Sequence, residues 1–359
     1  MPKREGTTIA GKRDPKTRVK PTLDEIAERA NTSRSTVSRA FSRPDLLNPK
    51  TVAQILAIAE EIGYRPNNMA RALSTGRTGN IGLLVPDIAN PFFPPLIKAI
   101  QSQADALGLC LFLGSSGESG ARENTLFERL AGQTDGIILA STRLSEAQVR
   151  THAARHPITL INRDMVGLPR VLIDTQAAVM EAVGFLAENG HRHIAYLSGP
   201  KESWSNQQRM EAATEACSRT EMRLSIIPLS EPSFEGGEAA AEQAVAAGVT
   251  AILAFDDLTA QGAHARLSAL GVAIPRDISL IGCDDALPAM TYPALSTLSG
   301  LSQEAGRHAL KLLCDAIEHR DGSQDMKVVL GARFILRDTA GPARSEPGAD
   351  PIPVNDRNR

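Results

Sequence analysis

The sequence predicts two architectures in series. An all-α head occupies residues 21–66, and an α/β body of two doubly wound parallel-sheet lobes occupies 79–338. Three observations lead there. Short helical patterns with cap signals fill the head. Strand-length apolar runs alternate with amphipathic helices from Asn80 onward. The charge also divides near the same place: residues 1–80 hold 15 basic and 8 acidic side chains, +7, whereas the remainder holds 24 and 33, −9, hidden inside a net −2. With 359 residues, of which 42% are hydrophobic, more than one packed domain is expected.

The first helix opens at Thr22-Leu-Asp-Glu25, a capping-box pattern, with Leu23, Ile26, Ala27 and Ala30 on its inner side. Asn31-Thr32 breaks it, and asparagine tolerates the left-handed turn required. A second helix spans Ser33–Phe41. Val37, Ala40 and Phe41 share one face, and Arg34, Ser35, Ser38 and Arg39 share the other. A third begins at Asn48-Pro49, carries Val52, Ile55, Leu56, Ala59 and Ile62 as its stripe, and stops at Gly63. This is a helix-turn-helix unit, whose second helix is shaped for the DNA major groove. A three-helix interaction module is the alternative. Guanidinium forks and hydroxyls on the exposed face of a basic segment favour DNA.

Strands are predicted at Ile81–Val85, Leu109–Leu113, Gly136–Leu139, Ile158–Ile161, Val171–Ile173, Ile194–Leu197, Ile226–Leu229, Ala251–Ala254 and Ile278–Ile281. Helices lie between most of them, such as 95–107 with Ile97, Ile100, Ala104 and Leu107. Continuous apolar strands separated by helices indicate parallel sheets covered on both faces.

Several function classes drop out. Cys110, Cys217, Cys283 and Cys314 include no C-x-x-C pair, which excludes a disulfide scaffold and fits a reducing compartment. No apolar run suffices for a membrane span, and Met1–Lys20 has no apolar stretch for a secretory leader, so a cytoplasmic location is expected. Gly114-Ser-Ser-Gly117-Glu-Ser-Gly120 is not a dinucleotide fingerprint, and neither a Walker A motif nor G-x-S-x-G occurs. His191-Arg-His193 is expected to be an exposed loop without a metal. No catalytic, metal or cofactor constellation is found, so the body is read as a binding module.

Ligands in such folds sit beyond the carboxyl ends of the strands. Phe92 and Phe93, Asn162, Asp174, Trp204, Ser205, Arg209 and Asp257 follow strands there. Aromatic walls with a carboxylate and a guanidinium suit a polyhydroxylated ligand. Phe92 and Phe93 could equally be core, Asp174 a helix cap, and Asp257 the N-cap of the helix starting at Leu258-Thr259. For Asp284 and Asp285 a cap or core network is expected.

Thr22-Leu-Asp-Glu-Ile-Ala, Ser35-Thr-Val-Ser-Arg39, Gly63-Tyr-Arg-Pro-Asn67 and Ala70-x-x-Leu73 together resemble the head of LacI/GalR-family regulators. The body resembles the same family and the related periplasmic sugar-binding proteins, through Asn90-Pro-Phe-Phe, Gly190-His-Arg-His-Ile194, Ser198-Gly-Pro200, Phe255-Asp-Asp257, Ile274–Asp285 and Tyr292–Thr297. The resemblance implies base contacts by Arg34, Ser35 and Arg39, and phosphate contacts by Thr22, Ser33, Thr36, Ser38 and Asn67. It implies a hinge helix in which Ala70 and Leu73 enter the minor groove. It also implies an effector site of Phe92, Phe93, Asn162, Ser205, Arg209 and Asp257. Asn31, Thr32, Asp256 and Ala212-Ala213 depart from the family's usual residues.

The organisation so implied has a disordered basic arm (1–20), the head (21–66), hinge and linker (67–78), and a periplasmic-binding-protein-like body (79–338). The N-lobe would be 79–176 with 303–328, the C-lobe 177–302 with 329–338, and 339–359 a flexible tail. The function implied is a transcriptional repressor, a cytoplasmic, nucleoid-associated homodimer on double-stranded operator DNA. Its effector would be a sugar, sugar phosphate, nucleoside or purine, and no cofactor is needed. A protein co-regulator in place of the small effector, a sugar-binding protein, and a sugar or nucleoside enzyme are the alternatives.

Overall fold

A computed structural model describes residues 21–65, 76–287, 291–319 and 325–344. The expectations for the arm, for Asn67, Ala70 and Leu73, and for the tail from residue 345 lie outside the described residues. The chain divides at Gly76/Arg77 into a head and a body.

In the head, α1 (Leu23–Arg29), α2 (Arg34–Ser42) and α3 (Pro49–Glu61) close on Ile26, Ala27, Ala30, Val37, Ala40, Ile55 and Ala59. Each start is capped as its sequence dictates: Thr22 accepts from the Glu25 amide, Ser33 from Thr36, and Asn48 from Lys50. The reciprocal half of the α1 capping box is replaced, because Glu25 turns to Arg29 at 2.9 Å. Asn31 takes the left-handed turn with φ 50°. On α3, Ile58 packs where Leu56 was expected, and Leu56 is 44% exposed. The stripe drifts around the helix because 3.6 residues make a turn.

The body starts with β1 (Asn80–Val85), α4 (Phe93–Ala106), β2 (Cys110–Ser115), α5 (Gly120–Ala131), β3 (Gly136–Ala140), α6 (Glu146–Ala153), β4 (Ile158–Ile161) and β5 (Arg170–Asp174). There follow α7 (Gln176–Glu188), β6 (His193–Ser198), α8 (Trp204–Arg219), β7 (Arg223–Pro228), α9 (Phe234–Ala246), β8 (Ala251–Ala254), α10 (Asp257–Ala269) and β9 (Ser279–Ile281). The last elements are β10 (Thr297–Leu298), α11 (Ser302–Glu318), β11 (Lys327–Gly331) and β12 (Phe334–Ile335).

One parallel sheet runs β11-β5-β4-β3-β1-β2 and the other β7-β6-β8-β9. These are the two doubly wound lobes, and every predicted strand is found. The pair β10–β12 is antiparallel and carries the chain between lobes. All of β11 belongs to the first sheet, so the boundary expected at 328/329 falls inside a strand. Leu107, expected in the stripe of α4, follows its last turn and is 61% exposed.

Two expectations are corrected. The tail does not begin at 339. Thr339 and Ala340 are buried, Leu280 N donates to Thr339 O at 2.7 Å, and Ala343 N donates to Asn189 O at 2.9 Å. Nor is His191 an exposed loop residue. It is buried, its Nε2–H donates to Gly341 O (3.0 Å), and its Nδ1 therefore accepts from Thr250 Oγ1 (2.8 Å). Burial lowers its pKa and keeps the ring neutral. Among the described residues no helix is long and apolar enough to cross a membrane, and no cluster of three His, Cys, Asp or Glu could hold a metal.

Candidate functional site

The head presents one polar helix face. Burial of Val37 and Ala40 turns Arg34, Ser35, Ser38 and Arg39 outward, as the helical periodicity requires. Ser33 Oγ caps α2 and also lies 2.7 Å from Ser35 Oγ and 2.9 Å from Thr36 Oγ1, which orders the hydroxyls at its start. Arg34 Nη1 donates to Asp24 at 3.5 Å, with both side chains mostly exposed. Thr22 is exposed at the start of α1. Arg and Ser side chains on a half-buried helix can meet base edges and phosphates.

In the body, the carboxyl ends of both sheets face one cleft, lined from both lobes. The first lobe lines it with Asn90, Phe92, Phe93, Glu118, Ser141, Arg143 and Asn162, from the loops after β1, β2, β3 and β4. The second lobe adds Ser203, Ser205, Arg209, Phe255, Asp256 and Asp284, from the segments after β6, β8 and β9. Phe92 and Phe93 are both buried, edge to face at 5.1 Å, so the core and cleft readings merge.

Arg209 is the polar centre. Its Nη1 donates to Phe255 O at 2.5 Å, its Nη2 reaches Asp284 at 3.4 Å, and its guanidinium carbon lies 5.4 Å from the Phe255 ring centre. Its Nε is buried with no acceptor among the described residues. Asp256 Oδ1 caps α10 through Thr259 N (2.8 Å), and its Oδ2 accepts from Asn90 Nδ2 of the opposite lobe (2.7 Å). Burial raises Asp256 against its bonds from Thr259 and Asn90 and the charge of Arg209, and raises Asp284 well above its ordinary value against Arg209. Arg143 is paired with Glu118 at 2.6 Å. Glu118, Ser141, Asn162 and Asp284 all hold positive φ, at 59°, 48°, 53° and 107°. Backbone strain of this kind gathers at binding sites.

Of the residues expected from sequence, Phe92, Phe93, Asn162, Ser205 and Arg209 meet in the cleft. Asp257 does not line it. Its carboxylate accepts from Thr297 Oγ1 (2.7 Å) and Ala286 N (2.8 Å) behind the wall. The cap role weighed for Asp257 belongs to Asp256, one residue earlier. Asp284, expected in a cap or core network, is in such a network through Arg209 and also lines the cleft. Asp174 accepts from Gln176 N at the start of α7, a capping role, and Trp204 is the half-buried first residue of α8. The sequence reading missed Asn90, Glu118, Ser141, Arg143, Ser203, Phe255, Asp256 and Asp284. Their common signal is a position one to five residues after a strand end.

Comparison with known proteins agrees with this geometry. Residues 22–67 match the profile of bacterial regulatory proteins of the lacI family, and residues 183–340 match that of a periplasmic binding protein-like domain. The HTH-type transcriptional repressor CytR of Escherichia coli is 30% identical over 306 residues, 83% of this chain and 90% of its own. The lac repressor dimer bound to operator and an anti-inducer shares the fold, with a TM-score of 0.79 at 23% identity, covering 89% of this chain and 99% of that one. A LacI-family regulator from Enterococcus faecium with bound ribose is 26% identical with a TM-score of 0.67, covering 74% of this chain and 100% of that one. The chain therefore belongs to the lacI family of bacterial regulatory proteins: it is a DNA-binding transcriptional regulator, not an enzyme.

Proposed function

We propose that this regulator is a repressor that works as a cytoplasmic homodimer. Its affinity for a two-fold symmetric operator is set by a neutral, polyhydroxylated effector, a sugar or nucleoside, held between the lobes. Arg34, Ser35 and Arg39 read bases, and Thr22, Ser33, Thr36 and Ser38 meet phosphates, with Asn67, Ala70 and Leu73 completing the contact beyond the described residues. Protein symmetry then matches half-site symmetry. Asn90, Phe92, Phe93, Asn162, Ser205, Arg209, Asp256 and Asp284 hold the effector.

The observation that carries this reading is the buried Nε–H of Arg209, unpartnered at the cleft floor beside two carboxylates and an aromatic pair. A buried donor left unpaired costs about 1–3 kcal/mol, which a ligand oxygen recovers. Both cleft arginines already face carboxylates, Arg143 with Glu118 and Arg209 with Asp284. That charge balance favours hydroxyl-rich neutral ligands over phosphates.

The test is a thermal-shift screen of pentoses, hexoses, their phosphates, nucleosides and purines. It is run on the wild type, Arg209→Ala and Asp284→Ala. A ligand at a hundred times its Kd adds about 2.7 kcal/mol of stability. The expected result is a neutral hit in wild type that vanishes in both variants. A hit that survives both substitutions refutes the cleft.

A further inference from the structure

The segment that leads from the head into the body is held by one buried carboxylate. Asp135, 8% exposed, lies just before β3. Its Oδ1 accepts from Thr78 N at 2.6 Å and from Thr78 Oγ1 at 2.9 Å, and its Oδ2 accepts from Gly79 N at 2.9 Å. Asp135 N in turn donates to Asn80 O at 2.8 Å, Cys110 N donates to Gly79 O at 2.9 Å, and Asn80 Nδ2 donates to Gln133 O at 2.9 Å. One residue upstream of Thr78, Arg77 Nη2 donates to Ile317 O, in the last turn of α11, at 3.2 Å. Gly136 lets this helix end approach: a Cβ there would lie 2.8 Å from Leu313 Cδ1 and 3.0 Å from Ile317 Cδ1. The starts of β1, β2 and β3 and the end of α11 thus meet on residues 77–80.

Such a concentration of partners fixes the direction of the backbone. Two consecutive amides and a hydroxyl on one carboxylate are charge-assisted bonds, about twice as strong as neutral ones. The other end of α11 starts at Ser302 after the cap residue Leu301 and Gly300, where any side chain would run into the backbone of Asp284. Asp284 is the cleft residue paired with Arg209. A helix of 17 residues, about 25 Å long at 1.5 Å per residue, therefore runs from the cleft wall to this junction.

We propose that Asp135 and the Ile317 carbonyl form a clamp on residues 77–79, and that operator affinity depends on this clamp. The inference rests on the regulator reading and goes beyond it. Asp135 is a positioning residue, since it acts through the segment it holds. Two heads must reach two half-sites at once, and a tether with a fixed exit direction raises their effective concentration at the DNA without any new contact. An effector that moves the Asp284 wall also moves the start of α11, whose other end is part of the clamp.

The test uses the full chain and a duplex that the wild type selects from a randomised library. Kd is measured by fluorescence anisotropy for wild type, Asp135→Ala, Thr78→Val and the double variant, on the selected duplex and on a scrambled one. Asp135→Ala is expected to bind the selected duplex at least about tenfold more weakly and Thr78→Val several-fold more weakly, with the double variant no weaker than Asp135→Ala, because both remove one interaction. Binding to scrambled DNA stays within about twofold, since it follows charge. A merely structural role would lower the melting temperature and leave the ratio of selected to scrambled affinity unchanged. If Asp135→Ala yields no folded protein, Thr78→Val, which keeps the carboxylate, carries the same expectation. Unchanged affinity in either folded variant, or independent losses that multiply in the double variant, overturns the clamp. A wild type that selects no duplex overturns the regulator reading along with it.

Discussion

Asp256, Asp257 and Asp284 are the same side chain in three settings, and the settings decide their chemistry. Asp257 is buried behind the cleft wall, and burial pushes its pKa up to about 7, against the pull of its bonds from Thr297 and Ala286. In the unfolded chain it titrates near the usual carboxylate value of about 3.9. The folded state therefore holds the extra proton between these values, and the stability it contributes is full below about pH 4 and lost as pH rises to about 7. His191 and His152, lowered by burial, act in the opposite sense. The expected outcome is consequently a difference. Relative to Asp257→Asn, wild type loses up to about 1.4 kcal/mol per pH unit between pH 4 and 7, and nothing further above that. Denaturant melts at half-unit pH steps measure it, and a flat difference would count against the burial argument. At the head, Arg39→Ala is expected to cost about 1–3 kcal/mol on the selected operator and to relax one base position, while scrambled DNA binds as before. Equal losses on both duplexes would remove Arg39 from base reading. The Phe92-Phe93 pair and Arg209 were legible as an aromatic pair after β1 and a guanidinium after β6, whereas Glu118, Arg143 and Phe255, equally bulky or charged after a strand end, carried no motif to mark them as cleft residues. The two Asp-Asp pairs were not legible, since either member could cap the following helix or face the cleft. Only the turn after β8 and β9 decides which one does.

Elements were read from the sequence where a long period exists. The central strands β1, β3, β4 and β8 are largely buried apolar runs, the edge strands β2 and β7 are half-exposed apolar runs, and each cap residue of the head sits at its helix start. The two-residue strands β10 and β12 are too short for any period, and the edge strand β11 alternates between exposed and half-buried positions. Helix-to-helix distance was equally hidden. In the second lobe α9 and α10 approach so closely that a Cβ on Gly262 would strike the Phe234 carbonyl oxygen, and one on Gly237 would strike that of Thr259. Backbone cannot yield as a flexible side chain does. Gly262→Ala is therefore expected to destabilise the body by about 1–3 kcal/mol through overpacking, despite the better helix propensity of alanine. Gly184→Ala on α7, with nothing within 4 Å of the added carbon, is the control and should be neutral or slightly stabilising. Urea midpoints at constant slope separate the two, and equal midpoints would mean that α9 and α10 part readily.

For the whole molecule, the division of charge makes a claim about DNA that no single residue makes. The phosphate-facing side chains proposed on the head are neutral hydroxyls and an amide. They orient the protein but release few counterions. The Lys and Arg of residues 1–20, seven against two acids, are therefore the main reserve for sequence-independent attraction. The acidic remainder, −9 over residues 81–359, repels the duplex everywhere else and confines binding to the head. Removing residues 1–20 is thus expected to weaken selected and scrambled duplexes by the same factor. The slope of log K against log salt should fall by about 0.9 for each phosphate those residues neutralise. The base preference set by Arg34, Ser35 and Arg39 should stay as it was, because phosphate contacts carry no sequence information. Anisotropy titrations from 50 to 200 mM salt, on both duplexes and both chain lengths, measure slope and preference together. A shortened chain with an unchanged slope would move the electrostatic attraction from residues 1–20 to Arg29, Arg43, Lys50 and Arg65 of the head, and a changed base preference would give the arm a groove contact of its own.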